Sequence, residues 1–183
     1  MTRIPYPDVS KLPEATQQTL AKVGLNVVRM VANASQSLFE AQGKLGTAIA
    51  NPEVLEPRLR ETVILRVAHL SNSAYELHHH ISIGRTVGLS EAELVALAES
   101  NYGSLAPLLA AAARFTDEVV TQLSPSDETL ERLRKHASDQ TVMNIVLTIG
   151  CYMSIARVIA VTGIELDSTA LQNLPTGSKD GGG

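Results

Sequence analysis

Arg58-Leu-Arg-Glu-Thr-Val-Ile-Leu-Arg-Val-Ala-His-Leu70, then Ser71-Asn-Ser73, then Ala74-Tyr-Glu-Leu-His-His-His80 is the stretch that decides the fold. Val63, Ile64, Val67, Ala68 and Leu70 recur at helical spacing and make a broad apolar face. Pro57 suits the first turn of that helix, where the missing amide would have had no partner. Ser71-Asn72-Ser73 is turn-like, and Ser73 can cap a second helix with Glu76 at the capping-box position. The stretch therefore predicts two helices joined by a tight turn, the second stopping at Gly88.

Working outward, the same signals recur in both directions. Helices are expected from Glu14 to about Ala32 and from about Ser35 to Ile49. Ser90 with Glu93 forms another capping box, opening a helix to about Ala98, and Pro107 starts an alanine-rich one to about Leu123. A short helix follows Ser126, and Asp139 to Gly163 is apolar on several faces, as a buried or interface helix would be. Pro5, Pro7 and Pro13 mark residues 1–13 as an extended arm. Residues 168–183, rich in Ser, Thr, Asn and Gly, read as a flexible tail without function. The fold class is all-α: a single-domain helical bundle over residues 14–167.

Composition narrows the function. The 183-residue chain is 44% apolar but only 3% aromatic, with no Trp, so Ala, Leu, Val and Ile must fill its core. A net charge of −4 without a Lys/Arg cluster argues against nucleic acid as a partner. No leader pattern and no run of roughly 18 apolar residues is read, so no membrane partner and a cytoplasmic location are expected. Cys151 is the sole cysteine, which rules out a disulfide, a Cys-rich zinc site or a dithiol cycle within one protomer.

Polar residues that interrupt apolar patterning concentrate in the opening stretch: Glu61 on its first helix, Tyr75, Glu76, His78, His79 and His80 on its second. At about 100° per residue, Ser73, Glu76, Leu77, His80, Gly84 and Val87 share a face, with Glu76 and His80 one turn apart. A carboxylate beside an imidazole makes a proton-transfer pair near neutral pH. On a solvated face the same pair would contribute only tenths of a kcal/mol, but Leu77 and Val87 beside it suggest burial. The three consecutive histidines diverge around the helix and cannot chelate one ion, so no metal is assigned; Glu61, Glu76 and His80 would be the residual ligand set. Arg58 and Arg60 read as a solvated first turn or as anion anchors. Arg66 and Arg157 interrupt apolar runs and so either snorkel or pair with carboxylates, including those of a neighbouring subunit.

On these residues, together with Gly84-Arg85, Gly88-Leu-Ser-Glu-Ala-Glu93 and Cys151-Tyr-Met-Ser-Ile-Ala-Arg157, the chain resembles the carboxymuconolactone decarboxylase family. The related alkyl hydroperoxidase D proteins carry a Glu, a C-x-x-C and a His four residues beyond it. Glu61 and His80 match the outer members of that set, whereas Ser73 and Glu76 stand at the cysteine positions and Tyr75 at an inner one. Without thiolates, disulfide exchange has neither nucleophile nor leaving group, which disfavours a peroxidase-type oxidoreductase.

The resemblance then implies a cofactor-independent lyase or isomerase acting by acid–base chemistry on a small acidic or lactone-like molecule. It implies His80 as the acid, Glu76 orienting it, Glu61 as a second proton carrier and the Tyr75 hydroxyl holding a carbonyl oxygen. Ser73, Arg66 and His79 are the expected substrate contacts. The alternative is a non-catalytic helical oligomer that binds a small ligand. The resemblance also implies self-association as a homotrimer or homohexamer, to which the N-terminal arm and the apolar 139–163 helix would contribute.

Overall fold

The computed structural model describes residues 2–174, and among these it holds nine α-helices and no strand. They are α1 Glu14–Val23, α2 Asn26–Val31, α3 Gln36–Ala50, α4 Pro57–Leu70, α5 Ala74–Thr86, α6 Glu91–Glu99, α7 Pro107–Gln122, α8 Asp127–Arg134 and α9 Asp139–Thr162.

Helix α4 is the axis of the bundle. Every residue from Leu59 to Ala68 is buried, and α5, α6, α7 and α9 all pack on it. Its start is fixed by Pro57 and by the Glu56 carboxylate, which accepts from the Arg58 and Leu59 amides at 3.0 and 2.9 Å. Asn72 turns the chain with φ 49°, a left-handed conformation that asparagine tolerates, and the Ser73 hydroxyl then receives the Glu76 amide at the head of α5. The Ser90–Glu93 capping box closes in both directions, at 3.3 and 2.8 Å. The one expected at Ser73 closes in a single direction, because the Glu76 carboxylate does not return to it.

Four expectations need correction. The helix expected over 14–32 is two helices. Gly24, at φ 65°, ends α1 in the left-handed conformation that glycine takes without cost, and Leu25 restarts the chain at a new angle. The N-terminal arm packs on its own chain: the Arg3 amide donates to the Thr162 carbonyl at 2.7 Å, the Pro5 carbonyl accepts from Asn33 at 3.1 Å, and Arg29 stacks over the Tyr6 ring. Residues 168–174, expected to be tail, lie against α5; residues 175–183 fall outside the described residues. Finally, α9 is long and apolar enough to cross a membrane by length and composition alone. It runs through the bundle against α2, α3, α4, α7 and α8 with Ile145 and Ile149 in the core, as a central helix does.

A main core links α4, α6, α7 and α9, and a smaller one joins Val27, Met30, Tyr75, Ile159 and Ile164. Between the smaller core and α3 a cavity remains.

Candidate active site

The cavity measures about 670 Å³, within the range of small-molecule sites. Its walls are largely apolar, with Val23, Val28 and Phe39 from the first three helices, Leu25 from the turn before α2 and Ile155 from α9. From α5 and α9 come Tyr75, Glu76, His79, His80, Cys151 and Tyr152, and α3 adds the exposed Glu40 and Lys44.

Glu76 is 3% exposed, and neither of its carboxyl oxygens has a hydrogen-bond partner among the described residues. Burial pushes its pKa up to about 7, against smaller opposing effects of the Ser73 hydroxyl and the His80 ring. A carboxylate shut away from water and left unpaired is costly, so this group holds its proton to near neutral pH.

His80 does not pair with Glu76. Its Nδ1 lies 2.7 Å from Glu61 Oε2, and the other Glu61 oxygen accepts from Arg60 Nε at 3.0 Å. Arg60 also donates to the Ala50 carbonyl at 3.0 Å. All three side chains are buried, so Arg60, expected as a solvated residue or an anion anchor, is neither. A carboxylate accepting at both oxygens requires the hydrogen of His80 on Nδ1, which leaves Nε2 as the free nitrogen on the cavity side. Tyr152 stacks edge-on against the His80 ring at 5.1 Å between centroids and completes this end of the cavity. Burial, followed by the nearby Glu61 carboxylate, raises the Tyr152 hydroxyl well above its ordinary value.

Tyr75 and His79 line the cavity with their hydrogen-bonding atoms engaged elsewhere. The Tyr75 hydroxyl donates to Asp167 Oδ2 and accepts from the Val27 amide at 3.2 Å, so together Tyr75 and Asp167 cap the start of α2. That hydroxyl is not free to hold a substrate carbonyl. His79 Nε2 meets Asp167 at 3.0 Å, and its Nδ1 accepts from the Leu171 amide at 3.1 Å. Ser73 sits behind Glu76 as the cap of α5 and does not line the cavity. Arg66, expected as a substrate or interface residue, is buried within its own chain, where it pairs with Asp117 at 2.7 Å and donates to the Leu97 carbonyl. Arg157 is exposed and caps the Met153 carbonyl.

The structure thus brings Glu61, Glu76 and His80 together and leaves out Arg66. It moves Arg60 into the buried support of Glu61 and adds two residues that sequence reasoning passed over, Tyr152 and Asp167. Tyr152 carried a signal, as an aromatic in a nearly aromatic-free chain on the most apolar helix. Cys151 lines the cavity as well, with Gln42 donating to its sulfur at 3.3 Å; burial and the Glu76 charge raise its thiol pKa, which keeps it protonated and a poor nucleophile.

The carboxymuconolactone decarboxylase family model matches residues 36–118, which hold α3 to α7 up to Glu118 and with them Glu61, Glu76 and His80. No curated protein matches the chain in sequence. Solved structures share the fold. An uncharacterized peroxidase-related protein from Ralstonia eutropha JMP134, described as an alkylhydroperoxidase AhpD core, is 19% identical with a TM-score of 0.77, over 91% of this chain and 93% of that one. A peroxidase-related protein from Silicibacter sp. TM1040 is 17% identical with a TM-score of 0.77, over 91% and 92% of the two chains. The debrominase Bmp8, solved with 2,3,4-tribromopyrrole, is 16% identical with a TM-score of 0.74, over 92% and 93%. The carboxymuconolactone decarboxylase family match thus falls on the stretch that holds Glu61, Glu76 and His80, and the solved structures named here share the chain's all-helical fold.

Proposed function

We propose that the cavity is the active site of a cofactor-independent enzyme doing acid–base chemistry, as a lyase or isomerase, on a small lactone-like molecule. The observation that carries this reading is Glu76: a buried, unpartnered carboxyl at the polar end of an apolar cavity, with a pKa of about 7, beside the free nitrogen of His80. General acid–base catalysis is most efficient when the pKa of the group lies near the working pH. With Glu76 and the His80 ring side by side, one can take a proton from the carbon next to a carbonyl while the other returns a proton to the enolate. Where the substrate loses carbon dioxide, the protonated partner delivers its proton to the carbanion that remains.

Glu61 acts through His80 and is a positioning residue, with Arg60 holding its far oxygen. The apolar walls favour an uncharged body over a dianion, and the exposed Lys44 on the cavity lining would meet a substrate carboxylate that keeps its contact with water. Dithiol peroxidase chemistry is unsupported, because Cys151 is the only thiol in the sequence.

The test is proton exchange and double-bond migration in a panel of unsaturated γ-lactones in D2O, followed by NMR. The chain should introduce deuterium next to the carbonyl, and Glu76→Gln should slow this by about 100-fold or more, the scale of a lost general acid or base. Lactones that bind beside His80 and are never exchanged would instead favour a ligand-binding protein.

A further inference from the structure

On α5, Tyr75, His79, Ser82 and Thr86 follow one another at i, i+4, i+7 and i+11 and so form one stripe, adjacent to the stripe of Glu76 and His80 that faces the cavity. All four meet the segment that follows α9. Tyr75 and His79 hold Asp167, His79 also receives the Leu171 amide, and Gln172 bridges Ser82 at 3.0 Å and Thr86 at 3.5 Å. From α2, the Asn26 amide adds a bond to Asp167 at 3.0 Å and the Asn26 side chain one to the Glu165 carbonyl at 3.2 Å. Leu171 and Leu174 of this segment line the cavity.

We infer that residues 164–174 form a strap that belongs to the binding site: Leu171 and Leu174 wall the cavity and set the size and apolar character of what it admits, while the bonds to α5 hold the strap shut. The inference rests on the cavity being the working site, and it assigns that site a movable wall. The walls from α2, α5 and α9 belong to helices with buried faces in the bundle, whereas the strap is fastened mainly by side-chain hydrogen bonds on a single helix face. Such a fastening opens at far lower cost than a packed helix moves. His79 is its central pin. Both ring nitrogens are occupied, one donating to Asp167 and the other accepting from Leu171, and only a neutral ring with its hydrogen on Nε2 can do both.

The strap predicts how an apolar molecule enters, which stopped-flow fluorescence reads with the neutral dye N-phenyl-1-naphthylamine and the full chain, no turnover being involved. The Leu171→Ala/Leu174→Ala chain, with its wall cut back, and the Thr86→Val/Gln172→Ala chain, with its outer fastening removed and the cavity lining intact, should each take up dye about tenfold faster than the parent. Leu171→Trp, which fills the cavity from the strap side, should weaken dye binding by about tenfold. Circular dichroism should show parental helix content in all three. Uptake by the first two chains at the parental rate overturns the strap, as does undiminished binding by Leu171→Trp. A dye that binds neither the parent nor the cut-back chain overturns it too, since a lowered wall must open the apolar cavity. Loss of lactone exchange in Glu76→Gln with dye entry unchanged would separate the chemistry from the gate.

Discussion

His80 is held by Glu61, from the neighbouring helix, at 2.7 Å, and not by Glu76, one turn away on its own helix. The two carboxyls therefore have different environments and different work. One is fixed between a guanidinium and an imidazole, and the other lines the cavity without a hydrogen-bond partner among the described residues. Nitrogen-detected NMR of the histidines should find His80 with its hydrogen on Nδ1. Glu61→Leu should abolish that preference, and Glu76→Gln should leave it in place. Glu61→Leu should also cost about 3–5 kcal/mol of stability, since it strands Arg60 in the core without its partner.

Glu76 makes stability depend on pH with a defined sign. Its folded pKa, about 7, lies above the ordinary 4.5, so the folded chain binds the proton more tightly than the unfolded chain does. Stability is thus highest below pH 4.5 as far as this group is concerned, and falls as pH rises to about 7. Across that window the difference corresponds to about 3 kcal/mol. Glu76→Gln removes the penalty. Thermal melts should show the variant gaining on the parent at pH 8 and losing that advantage at pH 4.5.

His79 titrates in the opposite sense. Burial holds its pKa below 6.5 despite the Asp167 carboxylate, and charging the ring sets an Nδ1 hydrogen against the Leu171 amide. The contribution of the neutral ring is complete above 6.5 and is lost as pH falls from there toward the depressed value. Proton NMR should find the Leu171 amide protected from exchange at pH 7.5 and losing protection as the solution is acidified. Protection that is indifferent to pH would remove His79 as the pin.

Arg66 belongs to the framework. Its pairing with Asp117, which Tyr102 also supports, lies outside the cavity lining, so Arg66→Ala should cost about 3–5 kcal/mol and leave dye affinity at the parental value where the variant folds.

Self-association is proposed on the outer stripe of α9, where Met143, Leu147 and Val161 lie more than half exposed. An apolar stripe of this kind on a packed helix calls for a partner, and a second copy of the chain supplies one by closed symmetry. Light scattering should find a mass that is a multiple of 19.5 kDa, reduced by Leu147→Glu. A stable monomer would refute the proposal.

Much of the fold was legible because its signals are local. Pro57, the Ser73 cap and the Ser90–Glu93 box each act within one turn, and the structure places the helix starts where they point. The division of α1 from α2 was not legible, since the apolar spacing runs through Gly24 and only the left-handed turn there redirects the chain. In the site, periodicity put Glu76 and His80 on one face and Glu61 on the facing helix. Which carboxyl meets the imidazole depends on how deeply α4 and α5 pack, which spacing does not encode. Asp167 was invisible for a related reason: it lies 92 residues beyond Tyr75 and reaches α5 only through the path of the strap.

The central claim is that a carboxyl in the cavity exchanges its proton near neutral pH. Glutamate side-chain carbons labelled with carbon-13 and followed by NMR from pH 3 to 9 report this directly, with Glu76 assigned by its disappearance in Glu76→Gln. The account predicts one glutamate titrating with a midpoint near 7, absent from the variant, and a Glu76 midpoint at the ordinary 4.5 would contradict it.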